Sequence, residues 1–133
     1  MSRENVDIVR RTVEAFNSGE LSQILALTHP AFVAEIPPDL SAEPDVYRGD
    51  DGIRRYLSSF QDVMEDIGFE AERLWDAGES TVVALRLTAR GRETAIAVEQ
   101  RTVGVWTVQD GRVIRIQTYA TRAEALAAVG LEE

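Results

Sequence analysis

Few side chains in this chain can do chemistry, and their types narrow the field early. All 14 basic residues are arginine, lysine and cysteine are missing, and His29 is the single histidine. Without lysine there is no Schiff-base chemistry and no Walker-type phosphate loop. Without cysteine there is no disulfide, thiolate nucleophile or cysteine-ligated zinc. One histidine removes His-pair metal sites, and any Ser-His triad would have to run through His29. Carboxylates, arginines and tyrosines remain. Glu99-x-Arg101 puts an acid and an arginine on one face of a strand, where Glu99 could act as a general base and Arg101 as an anion or carbonyl clamp. The competing reading is an ion pair at a sheet end, in solvent.

The other candidates are weaker. Tyr47 and Tyr56 could each offer a hydroxyl to a pocket, although packing of the ring is the commoner use. Glu35 alternates away from Phe32, Ala34 and Ile36 and reads as outward-facing. His29 reads as a helix-terminal residue near a favourable dipole end. Asp50-Asp51 and Asp62, Glu65 and Asp66 are spaced along a helix and read as solvated. No metal site and no cofactor is expected.

These residues must be held by elements that the hydrophobic pattern places. Val6, Val9, Val13 and Phe16 have the one-face spacing of an amphipathic helix, stopped at Asn17-Ser18-Gly19. Leu21, Ile24, Leu25 and Leu27 predict a second short helix that ends at Thr28, ahead of Pro30. Residues 31–36 read as a strand closed by Pro37-Pro38, and 37–47 as a loop. Asp50 is a plausible N-cap for a third helix carrying Ile53, Tyr56, Leu57, Phe60, Val63 and Met64, with Gly68 ending it. The period then drops to two, predicting strands over 69–75, 81–88, 94–108 and 112–119 joined by turns, of which Asp110-Gly111 is the strongest hairpin signal. Thr121-Arg-Ala-Glu124 is a capping box opening a last helix over 123–129.

Helices gathered in the first half and a long curved sheet in the second imply an α+β domain, with helices on one sheet face. Three helices cannot fill the hollow of a strongly bent sheet, so a cone with an apolar pocket is expected. The 133 residues read as one domain, 1–133. A net charge of −9 argues against nucleic acid and anionic membrane partners. No apolar run is long enough to span a bilayer and charge begins at Arg3, so a cytoplasmic location is expected.

The segments VRRTVEAFNSGELSQILAL, VYRGDDGIRRYL, VWTVQDGRVIRIQTY and ATRAEALAAVGL together resemble the SnoaL-like branch of the nuclear transport factor 2-like superfamily. The resemblance runs from about Asn5 to Leu131. It implies a cone of three N-terminal helices packed on a curved antiparallel sheet with a short C-terminal helix. It also implies a homodimer formed through the outer sheet face. The fold hosts isomerases, cyclases, hydrolases and non-catalytic binders, so function must be read from the site. Matching the ketosteroid isomerase pattern puts its catalytic base at Ile36, its tyrosine at Thr12 and its protonated aspartate near Val103; all three are lost. The polyketide cyclases use a pocket aspartate helped by a histidine, and the aspartate that many relatives carry after the last strand is Thr121 here. Limonene epoxide hydrolase holds an arginine between two aspartates, a pattern that Glu99-x-Arg101 meets only in reversed order.

Strand alternation assigns Val83, Leu85, Leu87, Ile114, Ile116 and Thr118 to the concave face; if the fourth strand pairs as it does in the family the chain resembles, Val103 and Val105 join them, with Glu99 and Arg101 pointing inward near the mouth. Arg86, Arg115, Gln117, Trp106 and Tyr119 then fall on the outer face, as a dimer interface. The expected pocket is lined by Phe16, Phe32, Ile36, Tyr47, Tyr56, Phe60, Leu85, Val103, Ile116 and Thr118. It would bind a small hydrophobic molecule, either as a cofactor-free isomerase, cyclase or hydrolase or as a non-catalytic binding or dimerisation module.

Overall fold

The structure is a computed structural model that describes residues 2–36 and 46–131. The expected loop over 37–47, with Pro37-Pro38, falls largely outside them. Two helices, α1 (Ser2–Ser18) and α2 (Leu21–Leu27), lead into β1 (Thr28–Glu35), and β2 (Val46–Arg48) leads into α3 (Gly49–Val63). Four long strands follow: β3 (Met64–Ala77), β4 (Ser80–Gly91), β5 (Ala97–Gln109) and β6 (Arg112–Tyr119), and α4 (Arg122–Ala128) closes the order. The architecture is mixed α+β. No helix among the described residues is long and apolar enough to cross a membrane.

The strands form one six-stranded sheet in the order β2-β1-β6-β5-β4-β3. Asp110 and Gly111 both take positive φ, 54° and 74°, the pair of values a type I′ hairpin turn requires. That turn sets Gln109 against Arg112. The expected wholly antiparallel sheet is corrected at one junction, because β1 runs parallel to β6. A hairpin dictates the direction only of consecutive strands, and these two are separated by most of the chain.

Several element boundaries also differ from the pattern reading, β5 among them, which begins at Ala97 rather than at Thr94. β1 begins at Thr28 rather than Ala31, and its register against β6 shifts between Thr28 and Val33, where Pro30 has no N–H to donate. β2 was invisible to the pattern because three residues carry no period. The third helix stops at Val63 instead of Gly68, since Met64 and Glu65 already pair with Gly91 and Arg90 of β4. Its N-cap is Arg48, which makes no side-chain cap, and Asp50 lies in the first turn, where the helix dipole favours a carboxylate. The last helix matches its expected signal: the Glu124 backbone N–H donates to Thr121 Oγ1 at 3.2 Å.

Bulges set the curvature and the facing of side chains. On β3, Ala71 pairs with Leu85 but Arg73 pairs with Ala84, so Glu72 is an extra residue. On β6, Val113 pairs with Val108 but Arg115 pairs with Thr107, so Ile114 is another. Each extra residue bends the strand and reverses the alternation beyond it. The sheet is consequently apolar on both faces. On its inner face Val9 and Val13 of α1, Ile24 of α2 and Ile53 and Leu57 of α3 pack with Phe32, Val83, Trp106, Val108 and Val113. On its outer face Ala125 and Leu126 of α4 pack with Val82, Val103 and Val105.

Candidate functional site

Between α1, α3 and the inner sheet face lies a cavity of about 780 Å³. That is within the ~300–1,000 Å³ usual for small-molecule sites. Helix α3 builds one wall because Ile53, Tyr56, Phe60 and Val63 recur at helical spacing on a single stripe. Strand β5 builds the opposite wall with Gln100, Thr102, Gly104 and Trp106, a span of about 20 Å at the usual strand rise.

A chain of aromatic rings frames the space. Tyr47 meets Tyr56 edge-on with centroids 5.3 Å apart, and Tyr56 meets Phe60 at 5.3 Å. Phe60 contacts Phe69 at 6.5 Å, and Phe69 contacts Phe16 at 6.0 Å. Phe16 then stands edge-on to Trp106 at 6.4 Å. The Arg55 guanidinium covers the Tyr47 ring at 4.7 Å from its centroid, which holds that side chain against β1. Tyr47, Tyr56, Thr102, Thr118 and the Trp106 indole are neutral groups, so, Glu99 apart, the described lining offers hydrogen bonds without charge.

Tyr56 shows how the cavity treats a titratable group. Burial among apolar atoms, helped by Tyr47, pushes its phenol above the usual tyrosine range. It therefore stays protonated, able to donate a hydrogen bond but unsuited to act as a base. Its backbone carbonyl accepts from Ser59, whereas no described residue bonds its hydroxyl.

Of the residues expected to line a pocket, Phe16, Phe32, Ile36, Tyr47, Tyr56, Phe60, Leu85, Ile116 and Thr118 border the cavity. Val103 does not. It packs beneath α4 on the outer face, as Val105 does. The expected parity of β5 is thus reversed, and Trp106, assigned to an outer interface, lies inside instead. The physical reason is α4: where helices cover both faces of a sheet, both sets of alternating residues are apolar and alternation cannot choose between them. Gly104 carried the missed signal, since a glycine inside a strand two residues from a tryptophan marks a close approach on their shared face. Ile114, expected on the concave face, is the extra residue of the β6 bulge, and Val113 takes the inner position.

The pair singled out for chemistry is placed differently from the expectation. Glu99 borders the cavity mouth, but its carboxylate turns to the outer face and accepts from Arg86 Nη2 at 3.0 Å and from Arg101. Arg101 does not border the cavity; its Nε donates to Glu72 at 3.0 Å, on the outer face. The Arg86 hydrogen bond and then the Arg101 charge hold the Glu99 carboxyl below the usual glutamate value. A general base working near neutrality needs the opposite displacement. His29 is also away from the cavity, with Nδ1 accepting from the Ala31 N–H at 3.0 Å and Nε2 lying 3.8 Å from Asp110. Glu35 meets Arg115 at 3.3 Å on the outer face.

Comparison with known proteins fits this architecture. The SnoaL-like domain family model matches residues 9–116. An NTF2-like protein of unknown function from Burkholderia pseudomallei has 19% identity and a TM-score of 0.77, over 96% of this chain and 98% of that one. A hypothetical protein with a ketosteroid isomerase-like fold from Catenulispora acidiphila, in complex with trimethylamine, has 13% identity and a TM-score of 0.73, over 94% of this chain and 93% of that one. TerC, co-crystallized with polyporic acid, has 16% identity and a TM-score of 0.75, over 95% of this chain and 98% of that one. At these identities the likeness is one of fold. A search of curated proteins finds no match.

Proposed function

Since the chain belongs to the SnoaL-like domain family, in which function is set by the cavity rather than by the fold, we propose that it binds one uncharged, largely hydrophobic small molecule between α1, α3 and the inner sheet face. The observation that carries this reading is the lining itself. Among the described residues, a space of about 780 Å³ is walled by aromatic and aliphatic side chains and supplied only with neutral hydrogen-bonding groups, apart from Glu99 at its mouth. An ionised ligand would lose its hydration there and gain no counter-charge, so the cavity selects against charge. A neutral ring system would lose little and gain contact with the aromatic rings of the wall.

Binding rather than acid-base turnover is the activity we assign. The described groups on the wall cannot supply a base near neutrality: Tyr56 is held protonated, and Glu99 is held ionised by two arginines on the far side of the sheet. The co-crystal of TerC with polyporic acid and the trimethylamine complex support the general idea that this fold accepts small organic molecules. The partner expected at the outer face is a second copy of the chain, over the Arg86, Arg115, Gln117 and Tyr119 strip beside α4. Gel filtration at twice the 14.8 kDa chain mass supports that interface, and a single-chain mass contradicts it.

The ligand reading is tested by titrating the protein with Nile red, a neutral hydrophobic dye that brightens in apolar surroundings. One dye per chain with saturating fluorescence is expected. No saturable binding would overturn the proposal.

A further inference from the structure

Seven residues along β5 from the exposed Glu99, the cavity is bordered by a buried side chain whose donor the fold leaves unused. Trp106 is only 5% exposed, yet it borders the cavity. Its indole lies over Gly104: a β-carbon there would be 2.8 Å from Nε1 and 3.2 Å from Cδ1. Gly104 itself borders the cavity, so the N–H edge of the ring lies beside open space rather than beside the packed core. Among the described residues no acceptor takes a hydrogen bond from Nε1–H, and Trp106 has no further interaction beyond those described. Thr118, paired across the strands with Gly104, borders the same space with a hydroxyl.

An indole N–H is a donor only, and Nε1 is not among the fully buried atoms that lack a partner, so its N–H faces the cavity, where a ligand's acceptor can meet it. A phenyl ring would fill a similar place without a polar edge. The fold keeps the donor and also keeps the glycine that lets the ring lie flat. We infer that Trp106 Nε1–H, over Gly104, is a ligand-reading group that donates to an uncharged carbonyl-type oxygen buried at the floor of the cavity. This rests on the cavity being a binding site for a neutral molecule, and it adds which end of that molecule goes in first. The ligand class is then a flat hydrophobic ketone, quinone or ester whose oxygen lies against Trp106 and whose ring system lies among Phe16, Tyr56, Phe60 and Phe69.

The test uses two probes of one shape, 9-fluorenone and fluorene, which differ by the carbonyl oxygen. Binding is followed on the 15N-labelled wild-type protein through its two indole N–H resonances, with Trp75→Phe identifying the one from Trp106. The expected result is that fluorenone binds about fivefold to tenfold more tightly than fluorene, the worth of one neutral hydrogen bond, and moves the Trp106 indole proton downfield. Fluorene should leave that proton without a downfield shift. In Trp106→Phe the preference should fall to about one. Equal affinities, with no downfield shift on adding fluorenone, would overturn the role of Trp106 while leaving the binding cavity standing. Failure of both probes to bind would overturn the cavity reading and the role of Trp106 with it. The wild-type measurement decides the matter even if the variant does not fold.

Discussion

Glu99 and Arg86 face each other across neighbouring strands, with Arg86 Nη2 donating to Glu99 Oε2 at 3.0 Å on the outer side of the sheet. The contact takes the one carboxylate that borders the cavity among the described residues and commits it to the opposite face. It is why a residue that borders the cavity does not act in it.

Glu99→Gln should therefore leave Nile red affinity unchanged. Its effect should appear in acid. The Glu99 carboxyl is held below its ordinary value of 4.5 in the folded chain, so its contribution to stability is present above that value and is lost as pH falls through the folded value. Urea midpoints measured from neutrality down to about pH 3 should converge for wild type and variant at the acid end. The group is exposed, so the separation at neutral pH should be small and should shrink in salt.

Tyr56 carries the opposite sign. Its phenol is raised above the ordinary 10.0 on folding, so the folded state binds that proton more tightly than the unfolded state. The stabilisation is full below 10.0 and is lost as pH rises beyond it. Tyr56→Phe should remove part of the alkaline destabilisation, read as a flatter denaturation midpoint between neutrality and about pH 11. In absorbance titrations of the folded proteins, Tyr56→Phe should remove an ionisation that lies above the ordinary tyrosine range.

Leu126 is buried on the outer face, at 1% exposure, against Val82, Val103 and Val105. Leu126→Ala should cost about 2–5 kcal/mol by urea denaturation, the range for emptying a buried leucine site. Nile red affinity of the folded variant should be kept, because α4 and the cavity are on opposite sides of the sheet. Loss of affinity without loss of fold would show that α4 shapes the cavity.

Most of the helices and long strands were legible because their signals are local. Val6, Val9, Val13 and Phe16 share a stripe, Asp110-Gly111 dictates a hairpin, and Thr121 with Glu124 opens α4. Nine of the ten expected pocket-lining residues border the cavity, and for Phe16, Phe32, Tyr56, Phe60 and Leu85 the reason is the same: on α1, β1, α3 and β4 one face is clearly more apolar. What failed was long-range. The direction of β1 against β6 depends on no turn, and the extra residues Glu72 and Ile114 leave no period to read. On β5, Val103 and Val105 look like core and are core, but of the cluster under α4 rather than of the cavity. That single reversal moved Arg101 out of the site and Trp106 into it.

The most direct test of the cavity compares two substitutions one residue apart on β5. Thr102 borders the cavity and Arg101 projects from the outer face. Thr102→Phe fills the space without cutting into packed core, and Arg101→Phe adds the same ring on the other side. Nile red titration is expected to show at least about a tenfold loss of affinity for Thr102→Phe, equivalent to about 1.4 kcal/mol, and none for Arg101→Phe. Unchanged binding in Thr102→Phe, or an equal loss in Arg101→Phe with the fold intact, would contradict ligand binding in this cavity.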